Sequence, residues 1–215
     1  MKRLFIVVEG QTEEEFVNSL LRPYFEQIGV FAVTAITISK TKGGLTNYLH
    51  IKKDVEQLLR QSDVIVTTFV DFFRIPDTFP RYEQMILVVG KQKKIAFLEE
   101  AMSEDINDYR FIPYIQLHEF EALLFSSERG FQTYYSSNKK IIDSLKQIIA
   151  EFENPEEINN TSPPSHRIKE LIPNYNKIIY GNIIALEIGI ETILNRCPRF
   201  KNWVEILVSK MKENI

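Results

Sequence analysis

The segment LFIVVEG, residues 4–10, gives the first indication of the fold class. Residues 4–8 form a continuous run of apolar, β-prone side chains, which is typical of a strand buried on both faces of a parallel sheet. Glu9 and Gly10 end this run. Thr12 and Glu15 then have the spacing of a capping box, which predicts a helix with Thr12 as its N-cap. A buried strand followed directly by a helix is the first half of a βαβ unit.

Three more strand-like runs follow, at residues 30–38, 63–70 and 111–117. Apolar residues at helical spacing lie between them, at 16–24, at 48–59 and in a long predicted helix that follows Pro80 and runs to about residue 104. Pro23 predicts a kink or a break in the first of these helices. Pro113 predicts that the fourth strand lies at an edge of the sheet. The Gly43-Gly44 pair predicts a chain break after the second strand.

The character of the chain changes after residue 117. Helical periodicity recurs near residues 120–124, 141–152, 183–194 and 200–211, and one polar, proline-rich connector covers residues 154–164. We therefore predict an α/β fold, with a parallel sheet flanked by helices, followed by a helical C-terminal part. The predicted domains are residues 1–126 and, packed on them, residues 127–215.

Composition excludes several classes of protein. The 215 residues are 44% hydrophobic and 26% charged, which excludes a wholly disordered chain. With 26 Lys and Arg against 29 Asp and Glu, a nucleic-acid contact requires a local basic patch. The single cysteine, Cys197, has no partner for an internal disulfide. No apolar run approaches the roughly 18 residues of a membrane span, so we expect a cytoplasmic protein without a membrane contact.

Carboxylates follow three of the four predicted strands, where ligands bind in an open parallel sheet. Glu9 follows the first strand, Asp71 and Asp77 follow the third, and Glu119 and Glu121 follow the fourth. Clustered oxygen ligands suit Mg²⁺ or Mn²⁺. We therefore predict a metal site formed by these five residues. Lys40 and Lys42, after the second strand, are predicted to bind substrate phosphate.

Each candidate also has a structural interpretation. In this interpretation Glu9 does no more than interact favourably with the helix dipole, and Asp71 and Asp77 are turn residues. Lys40 and Lys42 can be solvated loop charges. On an α-helix Glu121 borders the apolar stripe, so we expect its carboxylate to face the same cleft as Glu9. Glu119, about 200° away on that helix, is expected to point elsewhere, whereas a backbone that stays extended through Phe120 would place both glutamates on one face.

Six stretches of the chain carry a family resemblance. The first, VEGQTE, resembles the opening motif of Toprim domains, the metal-dependent cores of topoisomerases, bacterial primases and the overcoming-lysogenization-defect (OLD) nucleases. Almost the whole chain resembles a prokaryotic Toprim-like family with a domain of unknown function. The stretches are VEGQTE (8–13), TTFVDFFRIPDTFP (67–80), RFIPYIQLHEFEALLFS (110–126), NPEEIN (154–159), PSHRI (164–168) and CPRFKNW (197–203).

The resemblance implies a Toprim-like sheet and Mg²⁺-dependent phosphodiester chemistry, with Glu9 and Asp71 as catalytic acids. Related Toprim families include effector nucleases encoded beside ABC-type ATPases in anti-phage defence. Such a protein would cleave DNA or RNA and have an ATPase partner. The alternative is a catalytically degenerate Toprim-like subunit that binds or regulates an ATPase.

Two departures from the family pattern bear on this choice. Phe73 stands where Toprim domains carry a second acid, so Asp77, Glu119 or Glu121 would have to replace it. His166 stands where the family's proline-serine motif commonly continues with lysine, so Arg167 (catalytic) or Lys169 (phosphate-binding) would have to serve instead. The stretch around Arg167 is equally a helix start. Arg196, Arg199 and Lys201, near Phe200 and Trp203, form either a nucleic-acid patch or the charged edge of a core helix.

Overall fold

The computed structural model describes residues 1–39, 45–158 and 161–213. Its five strands form one parallel sheet with β1 and β3 at its centre, in the order β2-β1-β3-β4, and β5 also pairs with β3. The predicted α/β fold with a helical C-terminal part is confirmed. The strands are β1 (Arg3–Val8), β2 (Val33–Thr37), β3 (Val64–Asp71), β4 (Phe111–Ile112) and β5 (Ile115–Gln116).

The central strand β1 is buried on both faces, as its apolar run predicts. Leu4, Ile6 and Val8 lie in one apolar cluster, which also contains C-terminal side chains such as Trp203. Phe5 and Val7 lie in a second cluster on the opposite face, with the helices that follow β2 and β3. The division of the chain into two domains at residue 126 stays a prediction, since the first cluster joins residues from both sides of that point.

The helices before residue 117 cover the sheet. They are α1 (Gln11–Phe16), a π-helical turn (Val17–Leu21), α2 (Arg22–Gln27), α3 (Tyr48–Leu59), α4 (Tyr82–Ile86) and α5 (Lys91–Ile106). The predicted capping box is wrong, because Gly10 is the N-cap of α1 and no side chain caps this end. Thr12 is instead buried in the first turn, where its carbonyl oxygen accepts a hydrogen bond from Asn182 Nδ2.

Prolines and glycines account for most differences from the predicted elements. Pro23 does not break its helix, because it lies at the start of α2 directly after a π-helical turn, a geometry that accommodates the missing N–H. The long helix predicted after Pro80 is two helices, separated by a turn that ends at Gly90 with φ +92°. Pro113 divides the fourth strand into β4 and β5, and β4 forms an edge of the sheet as predicted. The predicted break at Gly43-Gly44 lies outside the described residues.

Helices alone make up the regular structure after Gln116 in the described ranges. They are a 3₁₀ helix (Phe120–Ser126), α6 (Arg129–Tyr135), α7 (Lys139–Glu151), a 3₁₀ turn (Pro155–Glu157), α8 (Pro164–Leu171), a π-helical turn (Lys177–Gly181), α9 (Asn182–Ile188), α10 (Ile190–Arg196) and α11 (Pro198–Lys212). The single helix predicted over residues 183–194 is wrong, since Gly189 at φ +81° separates two helical segments bent by 85°.

A membrane-spanning helix is not found in the described part of the chain. No single helix there is both long and apolar enough to cross a membrane. Only the bent pair 177–188 and 190–196 has a combined length and composition that would suffice.

The aromatic residues of α11 belong to the core and not to a nucleic-acid patch. Trp203 stacks on Tyr114, with ring centroids 4.4 Å apart, and its Nε1 donates a hydrogen bond to Thr67 Oγ1. Phe200 is fully buried, and Arg199 forms an ion pair with Glu99 of α5. Their spacing therefore reflects packing of α11 against the sheet.

Candidate functional site

Glu9 and Asp71 lie together at the carboxyl edge of the sheet, at the ends of the neighbouring strands β1 and β3. Val8 is opposite Phe69 in the register of the two strands, so the residues that follow them are adjacent. The backbone N–H of Asp71 donates to Glu9 Oε2 over 3.4 Å, and the N–H of Leu45 donates to Glu9 Oε1 over 3.1 Å. The structure therefore brings together the two carboxylates that were predicted from the strand ends.

The Asp71 carboxylate also fixes the start of the 3₁₀ helix. Its Oδ1 accepts a hydrogen bond of 3.0 Å from the N–H of Phe120, the first residue of that helix. Glu121 follows and is almost completely buried, at 2% exposure. This short connection explains how a carboxylate beyond β5 reaches the acids beyond β1 and β3.

One lysine ties these carboxylates together. Lys177 Nζ lies 3.1 Å from Glu13 Oε1, 3.5 Å from Glu121 Oε2 and 3.6 Å from Asp71 Oδ2. It also lies over the Phe120 ring, 5.7 Å from the centroid. We call Glu9, Glu13, Asp71 and Glu121 the acidic cluster, and Lys177 lies in contact with three of its four members.

The backbone around Lys177 is held by its own local hydrogen bonds. Asn176 Oδ1 accepts hydrogen bonds from the N–H groups of Ile178 and Ile179, which caps the π-helical turn that Lys177 begins. Gly181 at the other end packs close to Phe120, since an added Cβ would lie 3.3 Å from that ring. The lysine is therefore presented by a preformed turn and not by an extended loop.

Burial dominates the electrostatics of the cluster. Burial raises the pKa of Asp71 well above its usual range, and the neighbouring carboxylates raise it further against the opposing effect of Lys177. Burial also raises the pKa of Glu9 and that of Glu121. Burial lowers the pKa of Lys177, but the surrounding carboxylates more than reverse this, so that the pKa lies well above that of a free lysine. The cluster therefore favours the charged form of Lys177, while burial makes Glu9, Asp71 and Glu121 hold a proton more tightly than free carboxyl groups do.

The donor atoms have the chemistry that Mg²⁺ prefers, but their arrangement does not fit a metal ion. Throughout the ranges 1–39, 45–158 and 161–213, no three Asp, Glu, His or Cys side chains are placed so that they could hold one. The cluster is arranged around an ammonium group. The predicted metal contacts of Glu9, Asp71 and Glu121 therefore stay predictions.

The acidic cluster opens onto a cavity of about 1010 Å³. Glu9 and Glu13 line one side, and the segment 173–178 lines the other. Lys169, predicted to bind phosphate, is exposed and lines the cavity as well. Lys40 and Lys42, predicted to do the same, lie outside the described residues. A charged ligand that enters this cavity meets the carboxylates of Glu9 and Glu13 and the two lysines of its lining, Lys169 and Lys177.

Two of the predicted site residues are not brought to this cavity. Asp77 is exposed in the loop after β3 and forms no ion pair with any described residue. The Arg167 guanidinium lies over the Phe152 ring, and its Nε donates to the carbonyl oxygen of Ser162. Arg167 does not line the cavity, although its neighbour Lys169 does. The predicted roles of Asp77 and Arg167 therefore gain no support from geometry.

Glu119 also has different partners from Glu121. Its Oε2 accepts a 3.0 Å hydrogen bond from the N–H of Ser165, and its Oε1 accepts one of 2.9 Å from Ser165 Oγ. Ser165 lies in the first turn of α8, so Glu119 caps the N-terminus of that helix from another part of the chain. The HEFE and PSHRI stretches are thus joined by a helix cap.

Replacing Glu119 by alanine should therefore affect stability and leave metal binding alone. The first turn of α8 would lose its acceptor, and we expect a loss of about 1–2 kcal/mol in the free energy of unfolding, measured with urea. Ser165→Ala should cost less, because the Ser165 N–H still has its acceptor. A fall in Mn²⁺ affinity in Glu119→Ala, with unchanged stability, would contradict the capping role.

Glu13 of the acidic cluster and Lys177, which contacts it, are absent from the predicted site. Glu13 lies within the VEGQTE stretch, in the first turn of α1, so the resemblance contained a signal for it. Lys177 lies in the stretch NYNK, which matches no motif quoted for the family. Only the tertiary structure brings it to the sheet edge.

Comparison with known proteins agrees with this architecture. The C-terminal region of the OLD protein of Burkholderia pseudomallei superposes with a TM-score of 0.52 and 19% sequence identity, covering 98% of this chain and 99% of that one. The corresponding region of the OLD protein of Xanthomonas campestris pv. campestris gives a TM-score of 0.50 and 14% identity, covering 98% and 97%. At such identities the similarity shows the fold alone.

Sequence comparison identifies the family. No curated protein matches the chain. The family model described as Domain of unknown function (DUF4276) matches residues 8–208, which is nearly the whole length and includes the complete acidic cluster with Lys177. The chain therefore belongs to the DUF4276 family.

Proposed function

We propose that this protein is a Toprim-like nuclease that cleaves phosphodiester bonds of DNA or RNA and depends on Mg²⁺ or Mn²⁺. The observation that carries the proposal is the convergence of Glu9, Asp71 and Glu121 at the carboxyl edge of a parallel sheet, beside an open cavity. Ligands of open α/β sheets bind at this edge. The fold shared with the OLD C-terminal regions is consistent with the proposal.

Charge balance supports the metal requirement. Three carboxylates surround a single ammonium group, with that of Glu9 nearby, and Glu13 and Glu121 are buried. A phosphodiester is itself an anion, so this cluster would repel it unless a further cation were present. We assign the metal contacts to Glu9, Asp71 and Glu121, on the condition that the Lys177 ammonium group moves away from Asp71 and Glu121.

The chain's own groups supply further parts of the chemistry. Glu9 lines the cavity, and burial raises its pKa toward neutrality, which suits a general base that takes a proton from an attacking water. Lys169 is exposed at the cavity wall and is suited to a backbone phosphate of the substrate. These roles require no movement of the sheet.

An ATPase partner is part of the proposal because of the Toprim resemblance. The 215 residues contain no P-loop, so we assign ATP hydrolysis to a partner of the ABC type. A role in anti-phage defence follows from the same resemblance.

One observation favours a second candidate function, that of a binding or regulatory subunit without catalysis. Lys177 already provides a positive charge at the centre of the carboxylates, and a cluster neutralised in this way can be purely structural. The two candidates differ in whether the protein binds a divalent cation.

Titration with Mn²⁺, followed by electron paramagnetic resonance, tests the proposed function. We expect the wild-type protein to bind Mn²⁺ and, with Mg²⁺ or Mn²⁺ present, to cleave at least one of single-stranded DNA, double-stranded DNA and RNA. Glu9→Gln should weaken Mn²⁺ binding by about 10–100-fold, while Asp77→Asn, which alters an exposed acid outside the cluster, should leave it unchanged. Absence of binding at millimolar Mn²⁺, together with absence of cleavage, would favour the regulatory subunit.

A further inference from the structure

We infer that a second cavity, which is lined by tyrosines and adjoins the cavity of the acidic cluster, binds an unpaired base of the nucleic acid. The protein would then act on single-stranded segments. The inference rests on the proposed function and adds to it the form of the substrate. It requires no metal ion, since the residues that carry it lie outside the acidic cluster.

The second cavity has a volume of about 440 Å³ and lies between the end of α6, the start of α7 and the segment 171–174. Its lining includes three tyrosines and two asparagines, which are Tyr134, Tyr135, Tyr180, Asn138 and Asn174. We call it the tyrosine cavity. In the described part of the chain, no charged side chain lines it. Apolar and aromatic walls with a few polar groups are typical of ligand sites, and they suit the flat, uncharged face of a base.

The tyrosine rings are available for stacking. Tyr134 is 45% exposed, whereas core rings such as that of Phe200 are fully buried. The Tyr134 and Tyr180 rings lie at 68° to each other, with centroids 6.4 Å apart. Two rings at this angle form a corner, in which a base can stack on one ring and meet the edge of the other.

The tyrosine cavity and the larger cavity of the acidic cluster share part of their walls. Pro173 and Asn174 line both of them. The π-helical turn Lys177–Gly181 also borders both, since Lys177 lines the larger cavity and Tyr180 lines the tyrosine cavity. A strand whose backbone lies in the larger cavity can therefore place a neighbouring base in the tyrosine cavity.

Exposed lysines lie beside both cavities, where the phosphates of such a strand would run. Lys169 lines the larger cavity, and Lys139 and Lys140 directly follow Asn138 of the tyrosine cavity. None of the three lysines forms an ion pair with a described residue. Lysines that contact phosphates, together with aromatic rings that stack on bases, are the usual means of binding a single strand.

A double helix cannot use the tyrosine cavity unless one of its bases leaves the stack. Bases inside a duplex are paired and stacked on each other, so extruding one of them costs free energy, whereas an unpaired base is already accessible. We therefore expect the protein to bind a single strand more tightly than a duplex of the same sequence.

Binding of fluorescent oligonucleotides, measured by anisotropy with EDTA present, tests the base site without any metal ion. We expect the wild-type protein to bind oligothymidylate or oligouridylate more tightly than an abasic strand of the same length. Replacing Tyr134 and Tyr180 together by leucine should weaken binding of the strand with bases by about 5–20-fold and leave binding of the abasic strand unchanged. Replacing both by phenylalanine keeps the rings and should preserve wild-type affinity.

Tyr109→Leu is the matched control. Tyr109 is 88% exposed and precedes β4, so it lies at the edge of the sheet opposite the acidic cluster. This variant should bind every oligonucleotide as the wild type does. Weakening by Tyr109→Leu as large as that by the double leucine variant would overturn the assignment of the base to the tyrosine cavity.

Photo-crosslinking to the wild-type protein guards against misfolding of the variants. On irradiation, iodouracil in a single strand forms crosslinks with aromatic side chains that touch it, and mass spectrometry identifies the modified residues. We expect Tyr134 or Tyr180 among them. Crosslinks confined to residues outside the tyrosine cavity would overturn the inference.

The outcomes separate this inference from the proposed function. Equal binding of abasic and base-containing strands, or full binding by the double leucine variant, would overturn the base site, while cleavage by the wild type would still support the nuclease. Absence of binding to every oligonucleotide would also overturn the base site. Tyrosine-dependent binding without cleavage in Mg²⁺ or Mn²⁺ would overturn the nuclease and leave the base site standing.

Discussion

Asparagine in place of Asp71 should lower phosphodiester cleavage by about 10³-fold and, at pH 8, make the protein more stable. The loss follows from the position of Asp71 between Glu9 and Glu121, where its negative charge is needed for any cation that faces the substrate. Removal of one charge-stabilising group from an active site costs about 10²–10³ in rate, and Asp71 lies at the centre of this cluster. The assay is cleavage of whichever nucleic acid the wild-type protein cuts.

The gain in stability follows from the same carboxylate. Burial raises the pKa of Asp71 well above its usual range, so the folded state holds its proton more tightly than the unfolded state does. A carboxyl group shifted in this direction imposes no penalty on folding below its unfolded-state pKa, and the penalty grows as the pH rises and is complete above its folded-state pKa. Asparagine removes the penalty and keeps the oxygen that accepts the Phe120 N–H. We expect a gain of about 1 kcal/mol at pH 8, which shrinks as the pH falls.

Asp77→Asn is the matched control, since it makes the same chemical change at an exposed acid six residues later. It should alter neither cleavage nor the midpoint of thermal unfolding. Wild-type cleavage by Asp71→Asn would remove the acidic cluster from the reaction centre. A loss of stability in Asp71→Asn that is larger at pH 8 than at pH 5 would contradict the direction of the pKa shift.

The sheet could be predicted because its signals are local. The run at β1 and the β-branched run at β3 each specify a strand with both faces buried, and parallel strands place Glu9 and Asp71 at one edge whatever the rest of the chain does. Pro113 indicated the edge strand for the same reason. Proline has no N–H to donate to a neighbouring strand, so it is found mainly in edge strands.

The cation beside the acidic cluster could not be predicted, because Lys177 is more than fifty residues from every member of the cluster in the sequence. Only the folded chain brings them together. Lys177 reaches the cluster only when the turn that begins at Asn176 packs beside the first turn of α1. The partner of Glu119 could not be predicted for a different reason. A glutamate next to a predicted helix offers no local sign that its partner is the N-terminus of α8, more than forty residues later.

Hydrophobic periodicity also did not predict which type of helix residues 120–126 form. Glu121 was assigned to the cleft from α-helical spacing, whereas residues 120–126 form a 3₁₀ helix with three residues per turn. Burial on all sides of this segment produces a nearly continuous apolar run, and such a run carries no periodic signal to distinguish the two. The hydrogen bond from the Phe120 N–H to the Asp71 carboxylate, which fixes the start of the segment, is a tertiary contact that the apolar run does not predict.

A partly buried arginine, Arg199, joins the C-terminal helix to the sheet. The Arg199 guanidinium pairs with Glu99 of α5, donates to the carbonyl oxygen of Ile115 and lies 4.8 Å from the centroid of the Tyr114 ring. Glu99 also accepts a 2.7 Å hydrogen bond from the N–H of Ile115. Burial raises the pKa of Glu99 even with Arg199 beside it.

Replacing Arg199 by methionine should therefore lower the free energy of unfolding by about 3–5 kcal/mol at pH 8, measured with urea, because Glu99 would be left as a buried charge without its cation. Without Arg199 the pKa of Glu99 rises further, so the destabilisation should be full above that pKa and smaller at pH 5, where Glu99 takes up a proton in the folded state. Adding Glu99→Gln to Arg199→Met removes the unpaired charge and should recover part of the loss at pH 8. Lys201→Met, two residues further along α11 in an exposed pair with Glu205, should change stability by less than about 0.5 kcal/mol. A loss that is the same at both pH values and that Glu99→Gln does not relieve would instead assign the role of Arg199 to packing against Tyr114.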